Sequence, residues 1–290
     1  MFLMKIKKII IFLSKKILGV PNPKVFFESK KRSFEKKIFT KKFNSKDFIN
    51  FIEDFGIEEK DTVFFPSSWN EFYNFNDGIK DLINSLIDFL GEKGNLVMPS
   101  NTNLYDEGSI FDVNKTPTNA GLIAELFRRS PNVKRSIHLN SSVCVHGKNS
   151  DFLCKEHEKS ISSWDDFSPY KKLYDLDATI LTVGCGYFFS MGTPWHRVDS
   201  IMLNKEDKKF KKIYNKKIKY SWKDCQSKGE AYFLLRQKEA NLNFINKYLK
   251  DVPHLNNKIS NLRGYSVKVK PLVNKGVELA QKGITMYGKL

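Results

Sequence analysis

The amino-acid sequence predicts a layered α/β domain with an amphipathic helix ahead of it. Short β-branched and aromatic runs alternate along the chain with apolar stripes at helical spacing, the pattern of a sheet covered by helices. Several of these runs stop at a glycine or a proline, which marks their boundaries. The first twenty residues add a third signal, a helical stripe interleaved with lysine.

In that stripe Phe2, Leu3, Ile6, Ile9, Ile10, Leu13, Ile17 and Val20 recur at helical intervals, and Lys5, Lys7, Lys8, Lys15 and Lys16 fall largely between them. The lysines break every apolar run, so the segment does not span a bilayer. The longest unbroken run is Ile9 to Leu13, with no small-residue cleavage site after it, which argues against a secretory signal peptide. Such a helix either makes a peripheral membrane contact through residues 1–20, with its lysines on anionic lipid, or packs on a core or a partner subunit. Pro21 and Pro23 are expected to stop it, and a basic stretch then runs to Lys46. The chain is thus expected to divide into an extension, 1–47, and a folded body, 48–290.

Within the body, Thr62 to Phe65 reads as a short strand closed by Pro66. Ile79, Leu82, Ile83, Leu86, Ile87 and Leu90 form an amphipathic helix that ends at Gly91. Leu96 to Met98 is the next strand, and a second helix runs from about Asn119 to Arg129. Ser142 to His146 and Ile180 to Val183 read as strands, the latter ending in Gly184-Cys185-Gly186. Gly229 to Leu249 reads as helix. Strand order does not follow from the pattern.

Composition narrows the function. The chain has 290 residues, 41% hydrophobic, with 24 Phe and 11 Tyr, enough to bury a large core, so general disorder is excluded. Its formal net charge of +17 is concentrated in two places: residues 1–48 hold 14 basic and 3 acidic side chains, and residues 205–223 hold 9 and 2. The rest is nearly neutral, so a nucleic-acid partner is not expected. The four cysteines, Cys144, Cys154, Cys185 and Cys225, show no CxxC pairing and no metal spacing, which fits a reduced, cytoplasmic compartment.

No phosphate-binding GxxxxGK[ST], hydrolase GxSxG or zinc HExxH motif occurs. Gly184-Cys185-Gly186 lacks the third glycine of a dinucleotide loop, since Phe189 stands in its place, and reads as a tight turn. Cys144 and Cys185 read as packing thiols, and Cys225 follows Asp224 in a basic segment. His138 and His196 differ from the other histidines, and His196 follows the glycine turn at the end of a core strand, where α/β scaffolds present chemistry. Asp199 lies three residues on, on the same face if a helix begins there, and is placed to orient the imidazole.

Six ordered blocks extend this reading. They are Asp61 to Ser68, Leu90 to Pro99, Gly121 to Arg129, Asn132 to His138, Ser168 to Leu173, and Leu181 to Gly184 followed by Thr193 to Asp199. In this order, over about residues 48–230, they resemble the aminoglycoside 3-N-acetyltransferase family. The resemblance implies a layered α/β/α fold with a mixed central sheet, acetyl-coenzyme A as donor without a metal, and transfer to an amine on a sugar ring. It also implies that His196 is the catalytic base and that Asp199, in place of the family's usual glutamate, and Asp224 are its acidic partners. Ser67 and Ser68 then stand where the family lines its acyl-coenzyme cleft, with Arg135, Ser136 and Thr193 as further cofactor-binding positions. Pro66 and Leu139 depart from a histidine and a proline at the corresponding places.

Aminoglycosides are polycations, whereas residues 205–223 are strongly basic. The expected acceptor is therefore the amine of an amino sugar carried on a nucleotide or a lipid diphosphate, as in polysaccharide biosynthesis at the inner face of the membrane. The alternatives are acetylation of an aminoglycoside, conferring antibiotic resistance, or transfer to a hydroxyl. A catalytically silent, membrane-associated scaffold in glycan assembly is the remaining one.

Overall fold

The computed structural model describes residues 19, 23–102, 104, 106–162, 164–187, 194, 196–241, 244 and 247–289. The helix expected over residues 1–20 lies outside the described residues apart from Gly19, and so do Thr193 and Trp195. The chain forms two compact units, residues 1–42 and 43–290.

The first unit contains helix α1, Pro23–Ile38. Pro23 opens this helix, because at the first helical position its missing N–H is not needed and its φ is already helical. Much of the expected basic linker is therefore helical, with Lys36 and Lys37 in the last turn, where they oppose the helix dipole.

The second unit opens with α2, Ser45–Glu53, started by a capping box: the Asp47 amide donates to the Asn44 side chain and the Asn44 amide to the Asp47 carboxylate, each at 3.0 Å. Strand β1, Thr62–Phe64, leads to α3, Ile79–Leu90, whose apolar stripe ends at Gly91 as the spacing predicts. Next come β2, Asn95–Pro99, β3, Ser109–Asp112, and α4, Leu122–Arg128. Strands β4, Lys134–Arg135, and β5, Val143–Gly147, precede α5, Ser150–Cys154, and α6, Pro169–Asp175. Strand β6, Thr179–Val183, is followed by α7, His196–Asn204, and α8, Lys208–Ile213.

The chain then forms β7, Lys216–Lys223, and β8, Lys228–Leu235. Residues 228–235 are strand, not the helix expected from Gly229 onward. Their exposed and covered side chains alternate, with Phe233 buried and Tyr232 out, and they pair antiparallel with β7 from Lys223↔Lys228 to Lys216↔Leu235. Pairing with β7 overrides the helical propensity of Glu230, Ala231 and the two leucines. The remaining elements are β9, His254–Ile259, β10, Leu262–Lys268, α9, Val269–Gln281, and the hairpin β11, Ile284–Thr285, with β12, Gly288–Lys289.

Seven strands make one mixed sheet in the order β4-β5-β2-β1-β6-β10-β9. Its centre, β2-β1-β6, is parallel, and the flanking pairings are antiparallel. Side chains alternate between two cores. Val63, Phe65, Leu96, Met98, Leu181 and Val183 join Phe48, Leu82 and Leu86 of α2 and α3 on one face. Phe64, Val97, Val143, Val145 and Ile180 join Leu173, Val198 and Leu272 of α6, α7 and α9 on the other. This period of two, with both faces apolar, turns the sequence into helix, sheet and helix layers. A second sheet, β3-β7-β8, has its own core of Phe111, Leu139, Ile218, Tyr220 and Phe233. No helix among the described residues is long and apolar enough to cross a membrane.

Candidate active site

From β1 the chain crosses to β2 on one side and later returns to β6 on the other. Such a reversal opens a crevice at the carboxyl ends of parallel strands. The crevice is a cleft of about 750 Å³ lined by Ser67, Ser68, Asn101, Gly121, Tyr170 and Gly184, among others. The Ser68 amide donates to the Val183 carbonyl at 3.1 Å, which ties the end of β1 to the end of β6. Gly184 makes this approach feasible: its φ is +72°, and a Cβ there would lie 2.9 Å from the Glu71 Cβ and 3.1 Å from the Ser68 carbonyl oxygen.

His196 begins α7 and Asp199 completes its first turn, so the i, i+3 spacing puts both on one face. The His196 Nδ1 lies 3.1 Å from Asp199 Oδ2. Asp199 is 1% exposed, and the same oxygen accepts hydrogen bonds from the hydroxyls of Tyr214 and Tyr287, both at 2.5 Å. A guanidinium nitrogen of Arg236, one residue past β8, stands 3.2 Å from Nε2 and 3.5 Å from Nδ1, within reach of both ring nitrogens. With Nδ1 donating to the carboxylate, Nε2 carries the lone pair, and that is the nitrogen able to take a proton from a ligand. His196, Tyr214, Arg236, Asn140, Ser162 and Trp164 line a second cleft of about 310 Å³.

A stacked pair of rings joins the two clefts. Trp164 lines the His196 cleft, Tyr170 lines the larger one, and their centroids are 3.6 Å apart. The Trp164 ring is also 5.4 Å from that of His196.

The other expected positions lie elsewhere. Asp224 sits in the β7–β8 turn, where its carboxylate accepts from the Gln226 and Ser227 amides at 2.7 Å each; the Gln226 amide above all holds it below the ordinary carboxylate range. It lines a different cleft, beside Arg135 and Trp222, and the structure does not bring it to His196. Arg135 is 9% exposed and donates to the carbonyls of Ser100 at 2.6 Å, Thr116 at 2.5 Å and Val113 at 3.3 Å, with its guanidinium over the Phe111 ring. Burial pulls it down to about 10. Ser136 is fully buried, its hydroxyl 2.8 Å from His157 Nδ1. Both residues hold the interior together. Thr193 is outside the described residues.

No local motif announces Tyr214, Arg236 or Tyr287, because they converge on the His196–Asp199 pair from 15, 40 and 88 residues away along the chain. Cys185 lines the larger cleft, and burial pushes its thiol up to about 12; Cys144 is pushed up to about 11. Both thiols stay protonated and poorly nucleophilic near neutral pH.

Residues 64–281 match the family model described as aminoglycoside 3-N-acetyltransferase, and the chain belongs to this family. It is similar to the SPbeta prophage-derived aminoglycoside N(3')-acetyltransferase-like protein YokD of Bacillus subtilis (strain 168), with 29% identity over 154 residues, covering 46% of this chain and 56% of that protein. The chain spans about half the length of the curated relatives it matches. Among solved structures it is similar to the apoenzyme of aminoglycoside acetyltransferase AAC(3)-IVa, with a TM-score of 0.67 and 20% identity, covering 84% of this chain and 91% of the other. It is also similar to AAC-IIIb in a binary complex with CoASH, with a TM-score of 0.63 and 14% identity, covering 83% and 97%. These two likenesses establish the shared α/β fold.

Proposed function

We propose that this protein is an N-acetyltransferase that moves the acetyl group of acetyl-coenzyme A to an amine of an aminoglycoside, with His196 as general base. The observation that carries the proposal is the buried Asp199 carboxylate bonded to Nδ1 of a histidine that lines a cleft. Family membership supports the reaction class.

The thioester supplies an activated acetyl group. The cleft at the ends of β1 and β6 suits the donor's arm, with Ser67, Ser68 and the Gly184 turn along its wall. His196 Nε2 takes a proton from the amine as its nitrogen bonds to the acetyl carbon and the carbon–sulfur bond breaks. The same nitrogen then returns the proton to the departing thiolate. Asp199 holds the Nδ1–H tautomer throughout. No acyl-enzyme is needed, in keeping with the protonated thiols.

The expectation of a nucleotide- or lipid-linked acceptor gives way to the aminoglycoside alternative. It rested on the lysines of residues 205–223, and none of them lines the His196 cleft, where Tyr214 is that segment's contribution. The names of the relatives also point to aminoglycosides.

The test is acetyl-coenzyme A with a panel of aminoglycosides, following thiol release and a product heavier by one acetyl group. His196→Ala is expected to lose about a hundredfold or more in turnover. Thiol release with amino-sugar nucleotides and with no aminoglycoside would overturn the acceptor. From the sequence alone we also propose that residues 1–20 touch anionic membrane. Their deletion is expected to abolish co-sedimentation with anionic vesicles, and unchanged sedimentation would remove that proposal.

A further inference from the structure

We propose that Tyr214 and Tyr287 are positioning residues, a pair of phenols that fix the Asp199 carboxylate and thereby tune how tightly His196 holds its proton. The inference concerns the base of the proposed acetyl transfer and rests on that reading for its kinetic arm.

Asp199 offers two oxygens, and the structure uses them unequally. Oδ2 meets Tyr214, Tyr287 and His196, while Oδ1 is buried without a hydrogen-bond partner. Among the described residues the direction of the carboxylate is thus set by donors crowded on the oxygen that faces the imidazole. The two phenols reach it from separate elements: Tyr214 follows α8, and Tyr287 lies in the turn of the β11–β12 hairpin. Their hydroxyls are 3.3 Å apart. Burial, and after it the Asp199 charge, pushes both phenols above their ordinary range, so they keep their protons and act as donors. Among the described residues the remaining charged group facing the pair is Arg236, which contacts both ring nitrogens of His196 and hydrogen-bonds to Tyr287.

Each phenol draws negative charge away from the oxygen that would stabilise an imidazolium. Removing one leaves more charge on Asp199 and strengthens its hold on protonated His196. Phenylalanine keeps the ring and deletes the donor, which separates this effect from packing.

The experiment records the midpoint of the His196 imidazole titration by NMR, with no substrate present, in wild type, Tyr214→Phe and Tyr287→Phe. Both variants are expected to move the midpoint to higher pH by about half a unit or more. In the kinetic arm, the acid limb of kcat/KM moves the same way, and kcat falls by about tenfold with KM for both substrates little changed. Site-specific 3-fluorotyrosine at position 287, a stronger donor of nearly the same size, is expected to move the midpoint to lower pH. It supplies the measurement if a phenylalanine variant fails to fold.

Unmoved midpoints in folded variants overturn the proposal. So does a shift confined to Tyr287→Phe, since that would trace to Arg236 losing its Tyr287 partner. Absence of acetyl transfer in the wild type would remove the reading of the reaction, while the NMR arm would still decide the role of the two phenols.

Discussion

At Arg236 the structure places a permanent cation 3.2 Å from Nε2 and 3.5 Å from Nδ1 of His196, the base of the proposed transfer. In the proposed reaction the incoming amine approaches that guanidinium, and an aminoglycoside brings further positive charge with it. Arg236→Gln is therefore expected to lower KM for aminoglycosides several-fold, by roughly 1 kcal/mol of removed repulsion, as read from initial rates at low ionic strength. Arg135 gives the opposite kind of prediction. Arg135→Ala removes a donor from three carbonyls, of which that of Ser100 keeps the Ser142 hydroxyl, and is expected to cost about 1–3 kcal/mol of stability, seen in denaturant unfolding, with KM for acetyl-coenzyme A unchanged. His196, Asp199, Ser67 and Ser68 were legible in sequence because each pair is close along the chain and follows a recognisable strand end. Arg135 and Ser136 were legible as a block but not as interior residues, since a short polar run does not reveal which carbonyls will surround it. Tyr214 and Tyr287 carried no signal at all, because aromatic residues are common in this chain and only the fold aims two of them at one oxygen.

At the scale of elements, the β6 end controls the larger cleft. Gly184→Ala forces a side chain into a left-handed conformation against Ser68 and Glu71, at a cost of about 1–3 kcal/mol. The expected outcome is a lower Tm together with a KM increase for acetyl-coenzyme A that exceeds the increase for the acceptor. Strands β1, β2, β5 and β6 and helices α3 and α4 were readable because their apolar patterns end at glycine, proline or a charged turn. Strand β8 was not: Glu230, Ala231, Leu234 and Leu235 favour helix locally, and only its partner β7 makes the alternation of Tyr232 and Phe233 decisive.

At the scale of the whole molecule, acid stability follows from a buried pair. His138 and His157 are fully buried and stacked, with ring centroids 4.6 Å apart. His138 Nδ1 accepts the amides of Asn140 and Ser141, each at 3.1 Å, so protonation there would break both bonds. Burial pulls His138 down to about 3 and His157 well below its ordinary value. The unfolded chain binds these protons below about pH 6.5 and the native protein does not, so their contribution is complete above that pH and is lost as pH falls toward 3. Denaturant unfolding at pH 7.5 and pH 5 is expected to show the loss, with a limit of about 1.4 kcal/mol per pH unit for each histidine. Glu125, held down to about 2 chiefly by Arg128, adds its own loss only at lower pH, below the ordinary carboxylate range.

The stacked Trp164 and Tyr170 have a consequence for light as well as for shape. An indole lying flat on a phenol 3.6 Å away, with one ring facing each cleft, emits from an environment that either ligand alters. In a variant whose other three tryptophans are replaced by phenylalanine, donor and acceptor would each change the emission of Trp164. One indole would thus report the order in which the two clefts fill, without any label.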